Sequence, residues 1–239
     1  MHYFIYPTKD TWISSGSNRV TGVSEKDQNF GRDEILEVKK EFYNGSFDYP
    51  TRALVQFGGE DFTFISKSVE DGSIKDPKFF LKLFEAEGNT DLADFNYTLS
   101  FQPISQSWDE GAGKFGDNPK VTEGCSWENR SNLRGGDAIT WATPGVSVLS
   151  VSSSTQTFEG ESSDINVDIS DMVNMWINGE YDNYGTLIRF LTTQETNSTT
   201  QGKLKFFSRN TNTIFQPKLE VQWDDHVACS GSNTGSLNQ

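Results

Sequence analysis

"PKLEVQW", Pro217–Trp223, alternates along its whole length. Leu219, Val221 and Trp223 fall on one side, and Lys218, Glu220 and Gln222 on the other. Successive side chains of an extended chain point opposite ways, so this is the pattern of a strand with one buried face and one wet face. The period recurs outward from here. "TRALVQF" sets Ala53, Val55 and Phe57 on one face, and "NYTLSFQPI" sets Tyr97, Leu99 and Phe101 against Thr98, Ser100 and Gln102. "FFLKLFEA" places Phe79, Leu81 and Leu83 on one side, with Phe80, Lys82, Phe84 and Ala86 on the other. "TLIRFLT" and "KLKFFS" read the same way, as do the shorter "TWIS", "EILEV", "VSVLSV" and "INVDI". About ten strands separated by Gly, Asn, Asp and Pro turns predict an all-β fold, a jelly-roll β-sandwich. It is expected to form a single domain over residues 1–226. Residues 227–239, rich in Ser, Gly and Asn, are expected to form a flexible arm or linker.

One segment has another period. In "DISDMVNMWINGE", Ile169, Val173 and Trp176 recur at helical spacing, joined by Met172 and Ile177. This predicts one short α-helix at about 169–178, with Asp168 as N-cap and Gly179 just past its end. The turn that follows, Asp182–Gly185, then reads as a corner leading into "TLIRFLT", with Gly185 supplying backbone freedom and Asp182 and Asn183 favouring the turn.

Composition narrows the function. The 239 residues carry a formal net charge of −14, which disfavours binding to nucleic acid phosphates or anionic membranes. No stretch approaches the ~20 apolar residues of a membrane span, and "MHYFIYPTKD" has no signal-peptide pattern, so synthesis in a cytoplasm is expected. Cys125 and Cys229 form no CxxC pair, which argues against zinc, and free thiols are expected. The two histidines, His2 and His226, sit near opposite ends, outside any nucleophile motif, and no phosphate-binding loop, dinucleotide fingerprint or HExxH is present. Asp109 and Glu110 are adjacent on an extended segment and point apart, unlike a glycosidase pair. The expectation is a protein that is not an enzyme.

Three regions offer binding chemistry. "EKDQNFGRDE" supplies Asp27, Asn29, Asp33 and Glu34, oxygen ligands of the kind that hold structural Ca²⁺ in sandwich loops, without the EF-hand register. Residues 39–50 carry Phe42, Tyr43, Phe47 and Tyr49, aromatics that suit a partner contact. The glycine-rich stretch 109–136 is long enough to be functional. Trp108, Trp127 and Trp141 lie in or beside it and could stack on sugar rings, and Trp127 is a partner-contact candidate as well.

Eight elements in order then carry a resemblance: "DTWI" (10–13), "NFGRDEILEV" (29–38), "TRALVQF" (51–57), Trp108-x-Glu110-Gly111, "ITW" (139–141), "VDISDMVNMWINGEYDNYGTLI" (167–188), "FFSRN" (206–210) and "PKLEV" (217–221). The series resembles the DNRLRE domain family of β-jelly-roll modules, over roughly residues 8–223. The resemblance implies a binding or scaffold role without catalysis, since some members are glycan-binding modules similar to carbohydrate-binding modules. The chain as a whole also resembles virion structural proteins of tailed phages of the marine, cyanophage type. Together these imply a structural or interaction protein of a phage particle, in neck, tail or head decoration. Its expected partners are other virion proteins and copies of itself in a symmetric assembly, reached after synthesis in the host cytoplasm. The alternative is a glycan-binding module that adheres to host-surface polysaccharide.

Overall fold

The computed structural model describes residues 1–18, 21–40, 49–87, 96–134, 136–159, 164–198 and 202–224. Among them the chain forms β1 (His2–Ile5), β2 (Pro7–Ser14), β3 (Ile35–Lys40), β4 (Thr51–Phe57), α1 (Gly59–Glu70), β5 (Lys78–Leu83) and β6 (Tyr97–Pro103). There follow β7 (Asn129–Ser131), β8 (Ile139–Thr140), β9 (Ser154–Phe158), β10 (Ile165–Asp168), α2 (Ser170–Ile177), β11 (Thr186–Phe190), α3 (Thr192–Thr196), β12 (Gly202–Phe207) and β13 (Lys218–Gln222). The protein is all-β, with three helices on the framework.

Two antiparallel sheets dominate. One has the order β1-β13-β5-β10, the other β2-β4-β11-β6-β9, and the chain passes repeatedly between them. The pairs β3–β12 and β7–β8 are separate ribbons. The inner faces share one core. Ile5, Phe79, Leu81, Leu83, Leu219 and Val221 of the four-stranded sheet meet Val55, Phe57, Leu99, Phe101, Ile188 and Phe190 of the five-stranded sheet, all buried. These are the inward sets of the alternating strands, and their closure against each other excludes water from both sheets.

The outer faces differ. On the five-stranded sheet Ile13, Leu54 and Leu187 point away from the shared core yet are buried, because Ile104, Trp108, Cys125, Trp141 and Val146 cover them. The stretch 104–146, which includes the long glycine-rich segment, is therefore a lid over a second core. The four-stranded sheet has no such lid among the described residues: Phe4 and Tyr6 are exposed, and Lys218 and Gln222 are half-buried.

Several expectations need correction. "VSVLSV" is no strand: the described chain there makes only a bridge of Val148 to Ile104, because this segment runs along the lid. The single-helix reading missed α1. Its Phe62, Ile65 and Val69 recur at helical spacing and pack against the core, while Glu60 and Asp61 sit in the first turn and Lys67 in the last. It missed α3 as well, a single short turn. α2 lies where predicted, and Gly179 follows it at φ +71°. The N-cap position is Ile169, however; the Asp168 carboxylate accepts from the Ser170 backbone N–H at 2.8 Å and from its hydroxyl at 2.5 Å. Residues 227–239 lie outside the described residues. No described helix is long and apolar enough to cross a membrane.

A five-stranded sheet whose central strands are buried on both faces makes a direct prediction. Leu54→Ala should lower stability in urea denaturation by about 2–5 kcal/mol, the cost of a deleted core leucine. A loss under about 0.5 kcal/mol, usual for a wet surface position, would show that the lid does not cover this face.

Candidate functional site

The residues that carry motif chemistry converge at one end of the second core. The Asn29 side chain is fully buried and makes four hydrogen bonds. Its Nδ2 donates to the carbonyls of Glu110 at 2.7 Å and Cys125 at 2.8 Å, and its Oδ1 accepts from the N–H groups of Gly31 at 3.1 Å and Gly113 at 2.8 Å. Its backbone N–H donates to Val121. One amide thus ties the loop before β3 to three points of the lid and satisfies backbone groups that would otherwise be buried unpaired. Gly111 makes room for it: the backbone sits at φ +81°, and an added Cβ would stand 2.3 Å from Asn29 Oδ1.

Beside this bracket lies a buried charge cluster. Arg209 donates through Nε and Nη2 to both oxygens of Glu110, at 2.7 and 2.8 Å. Glu110 Oε1 also accepts the Asp10 backbone N–H at 2.9 Å, and Asp10 Oδ2 accepts the Arg209 backbone N–H at 2.7 Å. Burial pushes the Asp10 carboxyl up to about 7; the Arg209 N–H opposes the rise and the nearby Glu110 charge adds to it. Asp10 Oδ1 has no hydrogen-bond partner among the described residues. Close by, Trp12 Nε1 donates to Asp33 at 2.8 Å, and the Trp12 ring stacks on Phe30 with centroids 3.8 Å apart. Three quoted motifs, "DTWI", Trp108-x-Glu110-Gly111 and "FFSRN", thus meet here with "NFGRD".

The four oxygen-bearing residues expected to hold calcium make separate interactions. Asn29 is occupied as described, and both of its oxygen's bonds come from N–H donors. Asp27 pairs with Lys120 at 2.5 Å. Asp33 accepts from Trp12 and from the Phe115 N–H. Exposed Glu34 lines an open cleft of about 290 Å³ with Asp33, but Lys114 and Lys205 line it too. No group of three or more His, Cys, Asp or Glu side chains among the described residues could hold a metal ion.

The tryptophans divide. Trp108 and Trp141 are 2% and 3% exposed, members of the second core, so neither offers a ring face to a sugar. Their indole N–H groups donate to the carbonyls of Tyr184 and Ser126, at 2.8 and 2.9 Å. Trp127 is half-buried, with the Arg52 guanidinium 4.6 Å from its ring centroid. Of the aromatic loop, Phe42, Tyr43 and Phe47 lie outside the described residues, as do Cys229 and His226. Tyr49 is half-buried against Gly16. Cys125 is a fully buried free thiol, pushed up by burial and so held protonated and unreactive.

Residues 182–185 form the corner that their composition suggests. Asn183 Oδ1 accepts from the Gly185 N–H at 3.1 Å, its Nδ2 donates to the Phe57 carbonyl at 2.7 Å, and Gln56 donates to its carbonyl at 2.6 Å. Gly185, at φ +89°, lies so close to β4 that an added Cβ would be 2.4 Å from the Val55 carbonyl. Tyr184 donates to Asp182 at 2.8 Å.

Sequence reasoning passed over a second ion network. Glu195 is buried between Arg52, whose Nη2 lies at 2.7 Å, and Arg189, whose Nη1 lies at 3.2 Å. Arg52 also donates to the Gly145 carbonyl of the lid, and Arg189 to Gln102. Each arginine occupies an outward position of an alternating strand, where a charged side chain ordinarily meets water, and "TTQET" carries no motif.

A third polar group stands on the unlidded face. Glu220 of β13 is 4% exposed and is held by Lys82 and His2, each at 2.6 Å. Burial would raise this carboxyl, but hydrogen bonds from Lys82, His2 and Gln222 outweigh it and hold it below the usual carboxylate range. Around it lie Phe4, Tyr6, Phe84, Phe207 and Phe215, with Phe215 5.5 Å from Phe84 and 5.9 Å from Phe207 between ring centroids. No family model and no curated protein sequence matches the chain.

Two measurements check the bracket. Asn29→Ala and Asn29→Asp should each destabilise the protein by at least about 3 kcal/mol in urea denaturation, because several buried backbone groups lose partners or meet a repelling oxygen. A near-silent Asn29→Asp would contradict the donor role of Nδ2. For Asp10, the folded state binds the proton more readily than the unfolded chain, whose carboxyl has the ordinary aspartate value of 3.8. The stability that Asp10 lends therefore falls as pH rises from about 4 to 7, then levels off. Thermal melts of wild type and Asp10→Asn should diverge along that interval, the variant gaining relative to wild type. A difference independent of pH would refute the raised carboxyl.

Proposed function

We propose that this chain is a non-catalytic interaction module, a jelly-roll component of a tailed-phage particle in neck, tail or head decoration. One observation carries the interaction role. The motif carboxylates, amides and guanidinium groups are engaged in holding loops to the framework, whereas exposed aromatic side chains gather on the unlidded outer face of the four-stranded sheet. Clustered aromatic rings on a flat sheet suit a contact with another macromolecule, since they bury large area at low entropic cost. The jelly-roll order of strands, the particle and the virion location rest on the resemblance of the eight motifs and of the chain as a whole. The passage of consecutive strands between two sheets supports the first of these.

The glycan-binding reading keeps one side chain in its favour. Trp127 alone of the three tryptophans is partly open, and the Arg52 guanidinium that Glu195 holds lies over its ring.

Particles purified from lysates of the host that carries the gene should contain its peptides by mass spectrometry, at a stoichiometry that rises with particle purity. Their absence would end the virion proposal. Glycan-array binding that disappears in Trp127→Ala would favour the adhesive reading.

A further inference from the structure

The exposed rings are arranged around one cation. Lys218 Nζ lies 5.7 Å from the ring centroid of Phe4, 6.0 Å from Tyr6 and 5.2 Å from Phe84. Phe4, Tyr6 and Phe215 are all more than 40% exposed, and Ile214 beside them is 79% exposed. The neighbouring cations Lys82 and His2 are matched by Glu220, whereas Lys218 makes no ion pair among the described residues. A lysine over aromatic faces has its ammonium pre-placed but lacks a counter-charge. The site therefore selects an anionic group that comes with an apolar one.

The chain offers such a surface itself. Its net charge is −14, so most faces of a second copy are acidic. Face-to-face pairing of two aromatic patches would bring Lys218 against Lys218, which like-charge repulsion opposes. Helix α1 has the complementary character. It carries Glu60, Asp61 and Glu70, with Asp71 at its end, against Lys67. Phe64 is 58% exposed, with its ring centroid 6.1 Å from that of Tyr3. Glu60 and Phe64 are four residues apart, hence on one helix face. Glu60 makes no ion pair among the described residues, and Asp61 accepts from Tyr3.

We propose that the outer face of the four-stranded sheet binds helix α1 of a second copy of this chain, with Phe64 seated on the rings and Glu60 on Lys218. The inference deepens the interaction role proposed above and rests on it. If both contacts form reciprocally, the product is a closed dimer; if they form head to tail, the product is an open series.

Sedimentation velocity of the full chain over a concentration series tests this. The wild type should self-associate, and association should weaken at high salt. Lys218→Glu, at a half-buried position, and Glu60→Lys, at an exposed one, should each weaken association by about tenfold or more, as expected when a charge pair at an interface becomes a repulsive one. The double variant Lys218→Glu/Glu60→Lys should recover it, which no unfolding artefact could produce. A protein that stays monomeric at every soluble concentration would overturn the proposal, as would association indifferent to either substitution, or a double variant that fails to recover. Binding of the monomer to polygalacturonate, lost in Lys218→Glu, would also overturn it and assign the patch to an acidic polysaccharide. A monomer still found in purified particles would sink the helix contact while leaving the virion reading intact.

Discussion

The amide of Asn29 is the constraint on which the larger half of the structure depends. A lid that crosses a sheet buries its own backbone, and each buried N–H and C=O then needs a partner. Ladder bonds cannot supply them, since the described residues from 104 to 146 contain only the two short strands β7 and β8. Asn29 answers with two donors and one doubly accepting oxygen, linking Gly31, Glu110, Gly113 and Cys125. The Glu110–Arg209 pair and Asp10 then fasten the same corner to β2 and to the turn after β12. With the lid fixed, Leu54 and Leu187 have an apolar roof, and the middle of the five-stranded sheet is buried on both sides.

That arrangement explains what could be read from the chain. The strands of the shared core announce themselves by alternation, and β4 appears in its predicted bounds because Ala53, Val55 and Phe57 face one way. α2 was legible for the same kind of reason, its apolar residues repeating at helical spacing between Asp168 and Gly179. α1 carries a similar signal in Phe62, Ile65 and Val69, obscured by the adjacent Phe64, which points outward. The lid was not legible as a lid. Its Gly111 looks like an ordinary loop residue and Asn29 like a metal ligand, and their roles depend on a meeting between segments some eighty positions apart. The same holds for Glu195, whose two arginines come from different strands.

The candidate sites followed that division. Residues chosen for their chemistry, such as Asn29, Asp33, Trp108 and Trp141, are drawn into the interior, because a side chain able to form several directed bonds is what a buried loop requires. The exposed aromatic surface had a different signature. Phe80 and Lys82 occupy the face of β5 opposite the core set, with Phe84 just past its end, and Lys218 and Glu220 occupy the matching face of β13. Alternation identified these positions as outward, but nothing local to β5 shows that it adjoins Phe215, in the segment leading into β13. Long-range pairing of β1 with β13 and of β13 with β5 assembles them.

That pairing has an architectural consequence. His2 lies opposite Gln222, and the Met1 amine donates to the Trp223 carbonyl, so the described chain begins and finishes on neighbouring strands at one rim of the sheet. Polypeptide joined at residue 1 and at residue 224 would enter and leave through a single doorway. The fold is thereby suited to being spliced into a surface loop of a host protein, or to being re-cut at a different loop with its old ends sealed, without any strand changing its neighbour.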